Sequence, residues 1–357
     1  MKKYALYFMP DISGFTNFVT STEIEHSKHI ISELLEILID NNVIGLKLVE
    51  IEGDALFMYA TEFPEFSDLV AQSKKMLDAF SQHVQRYNTS RICECGACVS
   101  AQDLQVKFLI HYGEISFIRV KNIVKPYGAD VIKIHRLLKN SIPSDQYLLI
   151  SQSTLNFYQK GKDAIPEFTI NHDVYDYGTS QYAYTKLESF VKLKDPEIKI
   201  TVKPSRNPEI YFDLEVTSDL DTAINYIADL RRRSEWYKLV NSLEFDDLRI
   251  NQAGTVHQCI VGTNVFNVET LKWKLNKDER GYGERTFDIP NIATYQQYIT
   301  LSQNQDTVHI KLEVFLDFEE GFENRNEVIM DITNAWTQSL DILKVKLNTV
   351  ASEFDEE

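Results

Sequence analysis

The chain has 357 residues, of which 43% are hydrophobic and 25% are charged, and its net charge is −16. This length suggests two domains, and the acidic balance argues against a broad nucleic-acid-binding face, although not against a local basic patch. No apolar stretch reaches the roughly 18 residues of a membrane span, and the N-terminus has no secretory segment, so we expect a cytoplasmic protein.

The first half of the chain mixes strand and helix patterns. Alternating or continuous apolar residues predict strands, and a 3.6-residue apolar period predicts helices. In chain order the patterns predict a strand at 3–10, a helix at 14–41, strands at 46–52 and 55–60, a helix at 66–87, a loop at 88–103, a strand at 105–119, a helix at 130–140, and strands at 147–151, 173–178 and 182–188. This order predicts an α/β sandwich on a mixed sheet, formed by residues 1–191.

A different pattern follows a lysine- and proline-containing stretch, residues 192–207, which we interpret as a linker. The patterns after it predict a strand at 209–217, one or two short helices within 219–240, four to six strands between 242 and 318, and a long amphipathic helix at 323–350. Residues 208–357 are therefore expected to form an α+β domain in which a curved antiparallel sheet grips the long helix.

Two aspartates lie where apolar strands run into turns. Asp11 ends the first strand, and Asp54 stands in the turn between the second and third strands. Taken singly, each fits a helix cap or a turn residue. Two carboxylates at neighbouring strand ends can instead share a pair of divalent cations, which at about 4 Å apart promote in-line displacement at phosphorus.

Four segments within about 190 residues carry further candidate site residues. They are Asp11-Ile12-Ser13-Gly14-Phe15-Thr16, Glu52-Gly53-Asp54-Ala55, Ile110-His111-Tyr112-Gly113-Glu114-Ile115, and Tyr127-Gly128-Ala129-Asp130-Val131 followed by Arg136. In residues and in order, these segments resemble the motifs of the class III nucleotidyl cyclases. The resemblance implies the ferredoxin-type α/β sandwich of that family for the N-terminal domain.

The resemblance also implies a reaction, the conversion of a nucleoside triphosphate to a 3′,5′-cyclic nucleotide and pyrophosphate. Two Mg²⁺ or Mn²⁺ ions would be held by Asp11, Asp54 and the Ile12 carbonyl. Arg136 would stabilise charge on the α-phosphoryl group. The family works as dimers with the aspartates on one subunit and the arginine on the other, which implies a homodimer. Backbone N–H groups at a helix N-terminus would bind phosphates, and those residues are Ser13, Gly14, Phe15 and Thr16.

The chain departs from the family pattern at three places. Ile132 stands where the family has the asparagine that orients the ribose, and it cannot form hydrogen bonds. The triphosphate-binding lysine of the family has no match at residues 144–146, and Lys139, which precedes them, is a candidate substitute. Glu50 and Lys125 occupy the base-reading positions, and they can either read an unusual base or form a salt bridge with each other.

Three cysteines, Cys93, Cys95 and Cys98, form a C-x-C-x-x-C cluster that resembles a cysteine-rich insertion in a bacterial subgroup of cyclase-like proteins. Three interpretations are open: a structural zinc site, redox-active thiols, or a loop of reduced thiols. A fourth zinc ligand would be a histidine such as His111 or His135, a residue of a second subunit, or water.

In the second domain, Val216-Thr217-Ser218-Asp219-Leu220 ends the first strand, and a helix with Arg231, Arg232, Arg233 and Trp236 follows. This opening pattern and the predicted topology resemble the START-like, polyketide-cyclase-type (SRPBCC) helix-grip proteins. The resemblance implies an apolar cavity between sheet and helix for a hydrophobic small molecule or lipid. Four aromatic residues are candidates for the cavity lining, with plain core as the alternative: Trp236, Phe266, Trp273 and Trp336.

The sequence therefore supports two main functional hypotheses. The first is a signalling enzyme whose cyclase-like domain makes a cyclic nucleotide under the control of a ligand-binding START-like domain. The alternative is a catalytically degenerate scaffold that dimerises or binds nucleotide, with its function in the C-terminal cavity. A third hypothesis, an enzyme acting on an aromatic substrate in the C-terminal domain, lacks an obvious acid–base pair.

Overall fold

The structure is a computed structural model and describes residues 2–161, 168–187, 200–247 and 249–354. The chain divides into two compact units. Unit 1 comprises Met1–Gln85 and Ser100–Pro196, and unit 2 comprises Arg86–Val99 and Glu197–Glu357. Within the described residues, no helix combines the length and apolar character needed to cross a membrane.

The N-terminal half alternates strands and helices. Its strands are β1 Lys3–Ser13, β2 Lys47–Glu52, β3 Ala55–Ala60, β4 Gln105–Val120, β5 Ile123–Tyr127, β6 Tyr147–Ser151, β7 Thr169–Tyr175 and β8 Gly178–Lys186. The helices are α1 Phe15–Ser21, α2 Ile24–Asp40, α3 Phe66–Thr89, α4 Gly96–Ser100, α5 Ala129–Leu137 and α6 Gln152–Gly161.

Unit 1 is built on a mixed sheet, as its sequence pattern predicts. The described strands lie in the order β2-β3-β1-β4-β6-β8-β7, with β5 paired to β4. The pairing of β4 with β6 is parallel and the others are antiparallel. Strand β1 is buried on both faces, which explains why its sequence is a continuous apolar run. On one face its Tyr7 and Met9 pack in a cluster with Ile134 and Leu137 of α5.

The predicted single helix at 14–41 is two helices in the structure, α1 and α2. Thr22 is extended, with φ −132° and ψ 166°, and interrupts the helical backbone. Its hydroxyl donates a hydrogen bond of 2.6 Å to the Phe18 carbonyl and so satisfies an acceptor in the last turn of α1. The apolar period continues across the break and therefore does not reveal it.

Unit 2 is rich in sheet and carries one long helix. Its strands are β9 Ile210–Thr217, β10 Ser242–Glu244, β11 Val256–Val261, β12 Asn264–Leu271, β13 Glu279–Thr286, β14 Ile292–Asn304 and β15 Thr307–Phe318. They form an antiparallel sheet in the order β10-β11-β12-β13-β14-β15-β9. The helices are α7 Leu220–Ala228, α8 Arg233–Trp236 and α9 Arg325–Phe354.

The core of unit 2 lies between α9 and one face of the sheet. Trp336, Leu340 and Leu343 of α9 belong to the main buried cluster, together with Ile299 and Leu301 of β14. These strands and α9 confirm the prediction of a sheet-rich C-terminal part with a long terminal helix. The START-like helix-grip assignment stays a prediction.

Residues 86–99, which the sequence analysis placed in the first domain, belong to unit 2. The Ser90 carbonyl accepts a hydrogen bond of 2.8 Å from the Ala253 amide. Ile92 is part of the buried cluster of unit 2, and the Glu94 amide donates to the Asn225 side chain at 3.1 Å. These long-range contacts have no signature in the local sequence, which explains the difference.

The predicted linker, 192–207, lies partly outside the described residues, because the structure does not describe 192–199. The remainder is bound to unit 2. The Thr201 amide donates to the Lys272 carbonyl at 2.8 Å, and Arg206 forms an ion pair of 2.8 Å with Asp317.

Candidate functional site

Asp11 and Asp54 are brought together by the pairing of β1 with β3. Asp11 lies opposite Ala55 in the antiparallel register, and Asp54 directly precedes Ala55. The Ile12 amide donates a hydrogen bond of 3.1 Å to the Asp54 carbonyl. Asp11 on β1 and Asp54 in the β2–β3 turn therefore lie at the same end of the sheet.

The electrostatics of this pair depends on a lysine that the sequence analysis missed. Lys107 lies opposite Asp11 in the register of β1 and β4, and its Nζ is 2.7 Å from Asp11 Oδ2. Burial raises the pKa of Asp11, and Lys107 opposes that rise. Burial, together with the negative charge of Asp11, raises the pKa of Asp54 to about 6. Two carboxylates thus share a partly buried site with one ammonium group.

This donor set fits divalent cations. Carboxylate and carbonyl oxygens are the ligands that Mg²⁺ and Mn²⁺ prefer in proteins, and an added positive charge would relieve the repulsion that raises the pKa of Asp54. Asp11 and Asp54 would hold the ions, and the Ile12 carbonyl stays a predicted further ligand.

Glycines shape both turns beside the aspartates. Gly14, which precedes α1, has φ +88°, and Gly53, which precedes Asp54, has φ +67°. Other residues adopt this left-handed conformation only with strain. The predicted phosphate-binding segment, 13–16, therefore comprises the last residue of β1, the turn at Gly14 and the first two residues of α1.

The motif on β4 has a structural explanation. His111 is buried, and its ring nitrogens contact the Ser151 hydroxyl at 2.7 Å and an Asp130 carboxylate oxygen at 2.9 Å. The Glu114 amide donates to the other oxygen of Asp130 at 2.7 Å. A Cβ at Gly113 would lie 2.3 Å from Asp130 Cγ, so glycine is required there. This cluster fixes the first turn of α5 on β4.

Arg136 lies on α5 but does not contact either predicted metal ligand. Its guanidinium forms an ion pair of 2.8 Å with Asp176, and both side chains are about half exposed. Ile132, which occupies the ribose position of the family, is 57% exposed. Arg136 and Ile132 are thus presented at the surface of unit 1.

The two base-reading candidates contact each other, which is the second of the outcomes considered for them. Lys125 on β5 donates to Glu50 on β2. The Lys125 hydrogen bond holds the pKa of Glu50 below its usual value. Beside them, His135 Nε2 lies 2.8 Å from Glu52 Oε1. Base reading by this pair stays a prediction.

The three clustered cysteines lie together in unit 2. Their sulfur atoms are all within 4.8 Å of one another. The Cys95 amide donates to Cys93 Sγ at 3.4 Å, and the Cys98 amide donates to Cys95 Sγ at 3.5 Å. A hydrogen bond with Cys95 raises the pKa of the Cys93 thiol, and one with Cys93 raises the pKa of Cys98. Three thiols this close can supply three ligands to one metal ion.

Neither histidine proposed from the sequence is the fourth ligand. Both ring nitrogens of His111 contact Ser151 and Asp130. Those of His135 contact the Val131 carbonyl and Glu52. The fold of unit 1 therefore uses both of them internally.

Unit 2 contains a cavity of about 340 Å³. Phe266 is among its lining residues, as expected, whereas the three candidate tryptophans are not. Trp236 and Trp336 are fully buried in the core cluster, and Trp273 packs with Tyr298 and Phe315 in a separate cluster. The three tryptophans are therefore core residues, which was the alternative considered for them.

Comparison with protein families matches one model to this chain. The family described as "Protein of unknown function (DUF2652)" matches residues 31–147. The "Uncharacterized protein Rv2561/Rv2562" of Mycobacterium tuberculosis (strain ATCC 25618 / H37Rv) is 33% identical over 120 residues, which cover 34% of this chain and 56% of that protein. The chain thus matches little more than half the length of this relative.

Solved structures similar to about half of this chain are nucleotidyl cyclase domains. The catalytic core of a rhodopsin-guanylyl cyclase in complex with ATPαS covers 52% of this chain and 97% of its own, with 18% identity and a TM-score of 0.37. The guanylyl cyclase Cya2 covers 52% and 92%, with 17% identity and a TM-score of 0.39. A bacterial light-regulated adenylyl cyclase covers 53% of each chain, with 14% identity and a TM-score of 0.39. These identities and TM-scores do not establish a shared function.

Proposed function

We propose that unit 1 binds a nucleoside triphosphate with divalent cations and converts it to a 3′,5′-cyclic nucleotide and pyrophosphate. The observation that carries this proposal is the adjacent pair Asp11 and Asp54 on β1 and the β2–β3 turn. When both are ionised, the two carboxylates in this partly buried site carry two negative charges, and Lys107 balances only one of them. The remaining negative charge is costly to bury unless the site binds cations.

Residues of unit 1 would bind the cations and the triphosphate. Asp11 and Asp54 hold Mg²⁺ or Mn²⁺, which when bound lowers the pKa of the ribose 3′-hydroxyl and neutralises the triphosphate. Lys107, 2.7 Å from Asp11, adds positive charge where the triphosphate would lie. The N–H groups of residues 13–16 bind phosphate oxygens.

Arg136 would act across a homodimer. It is about half exposed and paired with the more exposed Asp176, so it can exchange that carboxylate for a phosphoryl group of a nucleotide bound to a second copy. In that position it stabilises charge that develops on the α-phosphoryl group. A single copy of the chain would then be inactive.

The base would be selected by Glu50 and Lys125 after their ion pair opens. The pair is partly exposed, so opening it costs little. Glu50 would accept hydrogen bonds from the base and Lys125 would donate one. This combination does not by itself name the base.

A second candidate function is ligand binding by unit 2. The observation that favours it is the cavity of about 340 Å³ under α9, which is within the usual range for small-molecule sites. We propose that unit 2 is a START-like helix-grip domain, and that its ligand regulates unit 1. In the alternative, a degenerate unit 1 serves as a scaffold and this cavity carries the function. Ile132 favours that alternative, because its exposed side chain cannot form a hydrogen bond with a ribose.

We also propose that Cys93, Cys95 and Cys98 hold a structural Zn²⁺. Thiolates are preferred zinc ligands, and the two N–H···S bonds suit charged sulfur atoms. The fourth ligand would be a histidine other than His111 and His135, a residue of a second subunit, or a water molecule.

The test is incubation of the purified full chain with ATP, GTP, CTP and UTP, each with Mg²⁺ or Mn²⁺, followed by mass spectrometry. We expect one cyclic nucleotide, which is absent with Asp54→Asn. Binding of a triphosphate without any cyclic product would contradict the enzyme and support the scaffold. The absence of both a cyclic product and cation-dependent triphosphate binding would contradict both roles of unit 1.

A further inference from the structure

The cavity of unit 2 has an apolar body and one polar end. Its apolar lining comes from β11, β12, β14, α9 and two loops, and includes Leu239, Val261, Phe266, Ile289, Val328 and Ile332. Six of the described lining residues carry polar groups: Tyr237, Cys259, Asn264, Glu284, Thr286 and Tyr295. Tyr237, Glu284 and Tyr295 form the polar end, where Gln297 links them by hydrogen bonds. Such a site takes a mainly apolar molecule whose orientation is set by few polar contacts.

Glu284 is a buried carboxylate that remains charged. Burial raises the pKa of Glu284. The Arg233 guanidinium at 2.7 Å, together with His257 and Tyr282, outweighs this effect and lowers the pKa to about 2. Glu284 lines the cavity, and Arg233 is not among the described lining residues. The acceptor member of the ion pair therefore faces the cavity.

The charge of Glu284 fixes the orientation of a hydrogen-bond relay. A carboxylate only accepts hydrogen bonds, so the Gln297 amide nitrogen must be the group that donates to it. The Gln297 oxygen then faces Tyr237 and Tyr295, at 3.0 and 2.9 Å. Both tyrosine hydroxyls must donate to that oxygen, and neither proton is left for a ligand.

The relay leaves one unused acceptor at the polar end of the cavity. The Tyr295 oxygen receives a hydrogen bond of 3.0 Å from Trp336 Nε1. Among the hydrogen bonds of the described residues, none donates to the Tyr237 oxygen.

The Glu284 carboxylate has no such vacancy. Its two oxygens already accept four hydrogen bonds, two from Arg233, one from the Tyr282 hydroxyl and one from Gln297, and a carboxylate has about four lone-pair positions. The Tyr237 oxygen is therefore the acceptor of this relay that a ligand can contact.

The net charge of this end disfavours charged ligands. Arg233 balances Glu284, so a buried cation would find no uncompensated negative charge. His257, whose Nε2 lies 3.4 Å from Glu284 Oε1, adds no negative charge in either protonation state. An anion would face the Glu284 carboxylate directly.

We propose that this cavity binds a small, mainly apolar molecule with a neutral hydrogen-bond donor, a hydroxyl or an amide N–H, directed at the Tyr237 oxygen. The proposal rests on the second candidate function above, because it requires the cavity to be a ligand site. It adds the chemical class that the site selects.

The test uses four naphthalene probes that share one apolar body, measured by isothermal titration calorimetry with the full chain. They are 2-naphthol, 2-methoxynaphthalene, 2-naphthoate and 2-naphthylmethylammonium. We expect 2-naphthol to bind about ten-fold more tightly than each of the others, as one buried hydrogen bond provides. Tyr237→Phe should remove most of this preference, and Tyr298→Phe, in the separate cluster, is the matched control.

A cavity-filling change separates the two ways in which the idea can fail. Ile332→Trp, or Val328→Trp if the first does not fold, should abolish binding of 2-naphthol. If the methyl ether or the acid binds as tightly as 2-naphthol, the donor preference is wrong while the cavity remains a ligand site. If no probe binds at millimolar concentration, both the preference and the ligand site are overturned.

Discussion

At the scale of single residues, Lys107 determines how the predicted metal ligands are held. Its register opposite Asp11 places a positive charge against one carboxylate and leaves Asp54 without a similar partner in the described contacts. The result is asymmetric: the pKa of Asp54 is raised to about 6 by burial and by Asp11. A site of this kind stores repulsion that a bound cation removes.

Asp54→Asn should therefore stabilise the metal-free protein above pH 6. The pKa of Asp54 is about 6 in the folded protein and 3.8 ordinarily. The free energy of unfolding therefore falls as the pH rises from about 4 through 6, and below about pH 4 this carboxyl costs no stability. After discounting for partial exposure, we expect about 1 kcal/mol, or roughly 2–4 °C in melting temperature at pH 7.5. Differential scanning calorimetry from pH 4 to 8 measures it.

The control is Asp40→Asn, a change at an exposed residue of the same unit. Added Mg²⁺ should raise the melting temperature of the wild type and of Asp40→Asn but not of Asp54→Asn. Equal melting temperatures at pH 7.5, or an unchanged Mg²⁺ response, would contradict the two-carboxylate site.

At the scale of elements, the segment 86–99 extends from α3 into unit 2. It pairs with unit 2 through a β-bridge between Arg91 and Gln252 and carries the three clustered cysteines, so a metal bound there would further stabilise this segment.

Strand β13 shows a close fit of another kind, because Gly281 and Gly283 leave room for the Trp273 ring.

Cys95→Ser should remove bound zinc and lower the melting temperature. The wild type, purified without chelator, should contain about one zinc per chain, and the variant close to none, because two thiolates and one further ligand do not close a structural site. Elemental analysis by mass spectrometry measures the metal. Cys259→Ala, outside the cluster, should keep its zinc. A wild type free of zinc would rule out the structural site and favour redox or inert thiols.

At the scale of the whole molecule, the proposed enzyme needs two copies of the chain. Asp11 and Asp54 form one half of the site, and Arg136 is paired with Asp176 at the surface of the same unit. A closed homodimer would contain two such composite sites related by a two-fold axis.

Mixing two inactive variants tests this arrangement. Asp54→Asn and Arg136→Ala should each be inactive, and an equal mixture should regain about a quarter of the wild-type activity, because half of the dimers are mixed and each has one intact site. Cyclic product is the readout, with triphosphate binding measured in parallel. No recovery, with exchange of subunits verified, would place Arg136 outside the site or the site within one copy.

The local sequence predicted the elements well where one physical pattern dominates. The apolar run of β1, the helical periods of α3 and α9, and the Gly53-Asp54 turn are each set by neighbouring residues. It also indicates Asp11 and Asp54 as candidates because they lie where strands run into turns, and the three cysteines because of their spacing. The break between α1 and α2 was missed, because one extended threonine does not disturb the apolar period.

Only the tertiary structure determined which groups contact each other. Lys107 meets Asp11 through strand register, Arg136 meets Asp176 across 40 positions of sequence, and Glu50 pairs with Lys125 across 75. The relay from Glu284 to Tyr237 likewise joins residues of different elements. Sequence by itself determined which chemical groups the protein has and the faces of its elements, because these depend on local periodicity. The charges and hydrogen bonds that those groups share depend on long-range packing, which local patterns do not encode.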